Sequence, residues 1–262
     1  MKKKIIIVGY PKSGTTWVAR LTAELVNCPV KGILYNEKKN EIAIEGLERK
    51  SEYECYKSHR QIHELTKENV ETGKIIYVIR DPRDLYISGY NYFYNIKLLP
   101  NFLHSKLAHY QNFKFIEKKI KNTIGKWLMK KKMIKAILFG NKNLHYWCRI
   151  SWGKHLIPYL DNSSVLKVKY ESLLNNPFNE CERILSFIGI EKPADSIIAA
   201  IERQSFNAVK EKFVENGESR KANFLRKGTN EQWRKELSKK EKRIFNDLLK
   251  KELDFLDYDT KL

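Results

Sequence analysis

The segment IIIVGYPKSGTTW, Ile5 to Trp17, constrains the fold more than any other stretch of the chain. Four apolar residues run without alternation into Gly9, Gly14 follows five positions later, and a helical pattern begins at Thr15. An unbroken apolar run suits a strand buried on both faces, as in a parallel sheet, and the glycines suit a tight turn into a helix. Such a turn leaves the unpaired N–H groups and positive dipole end of the helix facing the loop, an arrangement that favours an anion. Gly14 lets the backbone approach a ligand, Thr15 and Thr16 add hydroxyl donors, and Lys12 reaches the same place as a point charge. A loop that holds ATP or GTP carries its lysine directly after the second glycine. Here Thr15 stands in that position and the lysine comes two residues before the glycine. A strand–helix turn without a ligand is the plainer alternative. It leaves unexplained two glycines, a lysine and three Ser/Thr hydroxyls within Gly9–Thr16.

Further apolar runs at Lys74–Arg80 and Ser164–Tyr170, and a weaker one at Tyr53–His59, read as strands beside Lys3–Gly9. Between them lie helical patterns at Thr15–Val26, Arg83–Tyr94 and Pro177–Ile188, with another at Ser238–Leu253. Strands alternating with helices predict an α/β fold, a central parallel β-sheet flanked by helices and wound by right-handed crossovers. At 262 residues the chain suits a single domain over 1–262 with a large core. Residues 98–143 read as a basic, mostly helical insertion. The last forty or so residues show no clear pattern until the final helix. In such sheets ligands bind beyond the carboxyl ends of the strands. Gly9–Thr16, Lys57–His59, Arg80–Ser88 and Tyr170 all follow predicted strand ends and are expected to converge.

Fifty Lys and Arg against 31 Asp and Glu give a net charge of +19, a field that attracts polyanions, anionic membrane surfaces or anionic small molecules alike. The excess is concentrated: from Lys97 to Lys142 there are twelve lysines and one acidic residue, Glu117. That stretch reads either as a basic amphipathic helix pair or as a solvated lysine face around an ordinary apolar stripe. The four cysteines, Cys28, Cys55, Cys148 and Cys181, show neither zinc-ligand spacing nor a disulfide framework, so reduced buried thiols in a cytoplasmic protein are expected. The opening MKKKIIIVG has too short an apolar run for a secretory signal, and no stretch approaches the ~20 apolar residues of a membrane span.

The segment YVIRDPRDLYISGYNYF, Tyr77–Phe93, adds a second anion motif. Arg80 ends a strand and offers a planar fork that suits a phosphate, Pro82 suits a first helical turn, and the Ser88 hydroxyl follows on that helix. The alternative for Arg80 is a local pair with Asp81 or Asp84.

YPKSGTTW, YKSH, RDPRDLYISGYNYF, YESLLNNP and FLRKG, in this order and at these separations, resemble the cytosolic-type sulfotransferases that use 3′-phosphoadenosine 5′-phosphosulfate (PAPS). Weaker echoes are SWGKHL at Ser151–Leu156 and QSFNAVK at Gln204–Lys210. The resemblance implies a P-loop nucleoside-triphosphate-hydrolase-like architecture and transfer of a sulfuryl group to an acceptor hydroxyl by in-line attack, leaving PAP and requiring no metal. It implies that Lys12, Ser13, Gly14, Thr15 and Thr16 bind the 5′-phosphosulfate and that Trp17 stacks on the adenine. Arg80 and Ser88 would hold the 3′-phosphate, with Arg226, Lys227 and Gly228 closing over it, while Tyr170 and Phe206 line the adenosine pocket. Lys57 and His59 would face the transferred group, His59 as general base, a role that suits an imidazole with an ordinary pKa of ~6.5. Lys12 and the loop N–H groups would act like an oxyanion hole on the leaving phosphate.

Each residue also has a plainer alternative. His59 would be a surface or capping histidine, Lys57 an exposed lysine, Trp17 a core residue of the first helix and Tyr170 a packed strand-end aromatic. Two departures from the family matter: Gln204 stands where a hydroxyl residue is usual, and WRKELSKKEKR at Trp233–Arg243 replaces the family's usual dimerisation sequence. The expected partner is a hydroxyl-bearing acceptor, with a basic cleft suiting an anionic one. Nucleic acid is not expected, and peripheral contact with an anionic membrane is compatible with the charge. Two other functions compete. A P-loop phosphotransferase would need a lysine after Gly14, and a non-catalytic polyanion binder would leave the ordered motifs unexplained.

Overall fold

The sheet has five strands, all parallel, in the order β2-β3-β1-β4-β5. They are β1 (Lys3–Val8), β2 (Val30–Ile33), β3 (Tyr53–Ser58), β4 (Lys74–Ile79) and β5 (Val165–Lys169). The computed structural model describes residues 2–35, 42–66, 73–96, 125–225 and 228–261. Because every strand runs the same way, the segments that leave β3, β1, β4 and β5 emerge along one edge, side by side in that order.

Ile5, Ile6, Ile7 and Val8 are fully buried, which accounts for the lack of alternation in their sequence: both faces of β1 are covered. On one face Ile5, Ile7, Cys55, Ile76, Val78 and Val168 pack with α1 (Thr15–Val26) and with the helices Pro177–Ile188 and Ala194–Arg203. Each large aliphatic side chain buried there contributes roughly 1.5–3 kcal/mol. On the other face Tyr77 stacks on Tyr159, with ring centroids 4.4 Å apart. All four cysteines are buried and free.

The chain divides into two compact units, each discontinuous in sequence. Met1–Arg80 and His155–Asn230 carry the sheet, α1, α2 (Ile62–Thr66) and the helices from Tyr170 to Phe224. Asp81–Lys154 and Glu231–Leu262 carry α3 (Pro82–Ile96), the helix Lys126–Phe139 and the C-terminal helices. Inside the second unit the fully buried Arg83 guanidinium forms an ion pair with Asp81 at 2.7 Å and lies 3.6 Å over the Trp233 ring. The Asp84 carboxylate accepts the Trp233 backbone N–H at 3.0 Å.

Several elements differ from expectation. The edge strand β2 has only four residues, one of them glycine, and lacks an apolar run that would announce it. The helix expected at Arg83–Tyr94 spans Pro82–Ile96, with the proline at its first position. The final helix, expected over Ser238–Leu253, breaks at Leu249 into Lys239–Leu248 and Lys250–Phe255. It starts where a capping box forms between Ser238 and Glu241. Helices Ser219–Phe224 and Trp233–Glu236 occupy part of the stretch that showed no pattern. Of the basic insertion, residues 98–124 lie outside the described residues. The rest forms the helix Lys126–Phe139, which buries Met129, Met133, Ala136 and Ile137 and exposes Lys126, Lys131, Lys132 and Lys135. No helix among the described residues is long and apolar enough to cross a membrane.

Candidate active site

The loop between β1 and α1 is held in an uncommon backbone conformation. Lys12 has φ 76° and Gly14 φ 100°, and Ser13 N–H bonds Tyr10 O at 3.0 Å. A side chain at positive φ costs about 1–2 kcal/mol, so Lys12 is kept there by its surroundings. Arg80 Nη1 donates to the Lys12 carbonyl at 3.2 Å, and this bond helps fix the turn. A Cβ on Gly14 would lie 2.6 Å from Cδ2 of Tyr170. Gly14→Ala is therefore expected to destabilise the protein by about 1–2 kcal/mol from the backbone and a further ~1–3 kcal/mol from crowding. Chemical denaturation checks this, and a loss under 0.5 kcal/mol, read as roughly no change, would contradict it.

Beyond the loop, α1 begins with no side-chain cap and no acidic residue in its first turn. The first N–H within it to reach a carbonyl of the turn is Val18 N–H, on Gly14 O at 3.1 Å, so the N–H groups of Thr15, Thr16 and Trp17 have no partner in their own helix. Beside them the Ser13 hydroxyl, in a residue 1 % exposed, is buried with no hydrogen-bond partner among the described residues, and so is Nε of Arg80. Buried donors left unsatisfied are costly, and an anion at the end of α1 would satisfy the helix N–H groups and the Ser13 hydroxyl together.

The neighbouring strand ends meet this loop. Lys57 is 6 % exposed and donates from Nζ to Thr16 Oγ1 at 3.2 Å, so it is not a surface lysine. The parallel register that aligns Ile7 with Lys57 and Val8 with Ser58 brings His59 beside Gly9, and His59 Nδ1 lies 2.7 Å from Gly9 O. A carbonyl only accepts, so Nδ1 carries the proton and Nε2 keeps the lone pair. Burial, followed by the charge of Lys57, lowers the His59 pKa from 6.5 to about 3, which keeps the imidazole neutral and Nε2 unprotonated near neutral pH while making it a weaker base than an ordinary histidine.

At the end of β4, Arg80 is 7 % exposed, donates from Nη2 to Thr229 O at 3.2 Å and lies 4.2 Å over the Tyr170 ring. Tyr170 opens the helix Tyr170–Asn175 that follows β5, and Trp17 meets it edge-on at 5.5 Å. Trp17 is partly buried, and its indole N–H donates to Gln204 O at 2.9 Å. Phe206 opens the next helix, and its ring lies against Gly228, at φ 62°. Lys12, Ser13, Gly14, Thr15, Thr16, Trp17, Lys57, His59, Arg80, Tyr170, Phe206 and Gly228 thus all lie in the first unit, linked by the contacts above. Ser88 is half-buried near the end of the second turn of α3, in the second unit. Arg226 and Lys227 lie outside the described residues, although Thr229, just after them, reaches Arg80.

A family model described as the sulfotransferase domain matches residues 2–256. The chain belongs to the sulfotransferase domain family. This sulfotransferase is 23% identical over 269 residues to human sulfotransferase 2A1 (Homo sapiens), an alignment covering 95% of this chain and 84% of the relative. It is 26% identical over 254 residues to mouse (Mus musculus) sulfotransferase 2A1, covering 89% and 78%. Among solved structures, mouse sulfotransferase SULT7A1 complexed with PAP superposes with a TM-score of 0.68 at 20% identity, over 97% of this chain and 85% of that one. Retinol dehydratase in complex with androsterone and PAP gives 0.58 at 18% identity, over 99% and 82%. The fold is therefore the P-loop-like α/β fold of sulfotransferases.

Two groups of residues around this site went unassigned from sequence. Gln204, read only as a departure from the family, accepts from Arg20 Nε at 3.3 Å and donates to Glu45 at 3.2 Å, while Arg20 pairs Glu45 at 2.7 Å. This buried cluster anchors the carbonyl that Trp17 uses. An arginine within an amphipathic helix gave no sign of it. The second group is His155 with Tyr77: His155 lies in the SWGKHL echo, yet nothing in that motif tells which way its ring faces.

Proposed function

We propose that this sulfotransferase moves a sulfuryl group from PAPS to the hydroxyl of an acceptor, with His59 as general base and PAP as product. The observation that carries the reading is the Nδ1–Gly9 O bond of His59. It ties a neutral imidazole to the first residue of a loop whose helix end and buried Ser13 hydroxyl lack partners.

These residues fit a phosphosulfate nucleotide. Ser13, Gly14, Thr15 and Thr16 would hold its 5′ end with Lys12, Trp17 and Tyr170 would bound the base with Phe206, and Arg80 would take the 3′-phosphate, a role the family resemblance extends to Ser88 and the Arg226–Gly228 segment. Bound there, the nucleotide supplies an activated sulfuryl group and a leaving phosphate. His59 Nε2 takes the proton from the acceptor hydroxyl as it attacks, while its Nδ1–H stays on Gly9 O and prevents the ring from turning. Lys12 and Lys57 bring positive charge to the place where negative charge develops, and burial makes that charge count for more than it would in water.

Calorimetric titration separates this reading from a P-loop phosphotransferase: PAP is expected to bind in EDTA, and ATP with magnesium is not. The reverse pattern would overturn the assignment. A screen with radiolabelled PAPS over phenols, sterols, glycans and anionic lipids then identifies the acceptor class. Within the same titration Arg80→Ala is expected to weaken PAP by about 10–100-fold, the loss of hydrogen bonds to a charged group. Binding of adenosine 5′-phosphosulfate, which has no 3′-phosphate, should hardly change. Equal losses for both nucleotides would mean that Arg80 acts only by bracing Lys12.

A further inference from the structure

His155 lies beneath the site, 1 % exposed, and both its ring nitrogens are engaged. Nε2 is 3.2 Å from the backbone carbonyl of His59, and Nδ1 is 2.8 Å from the Tyr77 hydroxyl. The carbonyl can only accept, so Nε2 carries a proton and donates it. Burial pushes the Tyr77 hydroxyl well above its usual pKa, so it stays a phenol. The phenol's own proton is then directed at His155 Nδ1. Stacking on Tyr159 fixes the Tyr77 ring.

These bonds form a chain. Tyr77 O–H leads to His155 Nδ1, His155 Nε2–H to His59 O, and His59 Nδ1–H to Gly9 O, the first residue of the anion loop. We propose that His155 and Tyr77 are positioning residues for sulfuryl transfer, locking the His59 imidazole to the first residues of the anion loop. The proposal rests on His59 being the base, as argued above. The two bonds hold the main chain of His59 from one side and its ring from the other, so the Nε2 lone pair has one place relative to the loop. A displacement of about 1 Å at a reacting group costs on the order of 10²-fold in rate.

The test compares the full chain with His155→Leu, His155→Gln and Tyr77→Phe. Turnover is followed with PAPS and 1-naphthol, PAP affinity by calorimetry, and solvent exchange of the His59 Nδ1–H by NMR without ligand. His155→Leu is expected to lower kcat by about 10–100-fold with PAP affinity unchanged. Tyr77→Phe should lower it by about 3–10-fold, one neutral hydrogen bond. His155→Gln, whose amide can still donate to His59 O, should recover most of the activity. Nδ1–H exchange should speed up about tenfold or more in His155→Leu and measurably in Tyr77→Phe. Unchanged exchange in both variants overturns the proposal, and so does a fall in PAP affinity and melting temperature in step with kcat. The exchange measurement needs no acceptor, so it decides the role of His155 even if sulfuryl transfer is not found. If His155→Leu does not fold, Tyr77→Phe, which removes one oxygen, carries the test.

Discussion

Replacing His59 with alanine is expected to lower turnover by about 10²–10⁴-fold, the usual contribution of a general base, while PAP affinity stays within about a factor of two. Geometry separates these effects: the buried donors at Ser13 and Arg80 and the open end of α1 are intact without the imidazole, which bonds the loop at Gly9 O. Normal turnover in this variant would remove His59 as the base, and a parallel loss of PAP binding would mean that the ring mainly supports the loop. The low pKa gives an independent check. In the ligand-free protein the His59 ring should show no titration between pH 8 and pH 5, where an ordinary histidine passes through its midpoint. Its linkage to folding has a definite sign. The unfolded chain binds this proton near pH 6.5 and the folded one near 3, so His59 costs stability as pH falls through that window. Between pH 7 and pH 5 the His59→Asn variant is therefore expected to lose less stability than the wild type, by about 2 kcal/mol. Equal losses would contradict the buried, neutral imidazole.

The second large effect concerns stability. Arg83 satisfies Asp81 through Nε at 2.9 Å and Nη2 at 2.7 Å, and donates from Nη1 to Asn246 Oδ1 at 3.1 Å and Asp259 O at 2.7 Å. Arg83→Met would leave the Asp81 carboxylate buried without its partner, at a cost of about 3–5 kcal/mol. For a chain of this size the melting temperature should fall by roughly 6–20 °C. Replacing both partners, Arg83→Met with Asp81→Leu, should be less destabilising than Arg83→Met alone, since no charge is then stranded. Calorimetric melting of the two variants checks both statements. A single variant within about 1 kcal/mol of wild type would show that water reaches Asp81.

This pair also explains part of what the sequence allowed and part of what it hid. RDPRD is legible as a phosphate-binding arginine followed by a helix start. Which arginine Asp81 would take was open, because both are within reach along the chain. The structure assigns Arg83 to Asp81 inside the second unit and aims Arg80 at the carbonyls of Lys12 and Thr229. Strands β1 and β4 were legible because central strands covered on two faces become continuous apolar runs, while the central strand β3 and the edge strand β5 showed only shorter apolar stretches. The edge strand β2 needs no such run and was missed. Helices Ala194–Arg203 and Phe206–Glu215 went unassigned although one of them carries Phe206, because charged residues are interleaved with the apolar positions that bury them. At the site, the anion loop and strand ends followed from parallel-sheet geometry alone, whereas the individual roles came from family resemblance. The His155–Tyr77 link was not legible: Tyr77 sits mid-strand and His155 mid-helix, and only the crossing of those elements brings them together.

The strand order has a consequence for synthesis. β1 can pair with β3 once about 60 residues have been made, but β4 gains its outer neighbour β5 only after Val165 follows Ile79. At about 5–20 residues per second this interval lasts roughly 4–17 s. Throughout it β4 is a bare edge, and Arg80 and the anion loop wait for the aromatic face of Tyr170. A ribosome-bound chain ending before β5 should therefore lack the proposed nucleotide pocket, however complete its first three motifs are, because Tyr170 arrives late.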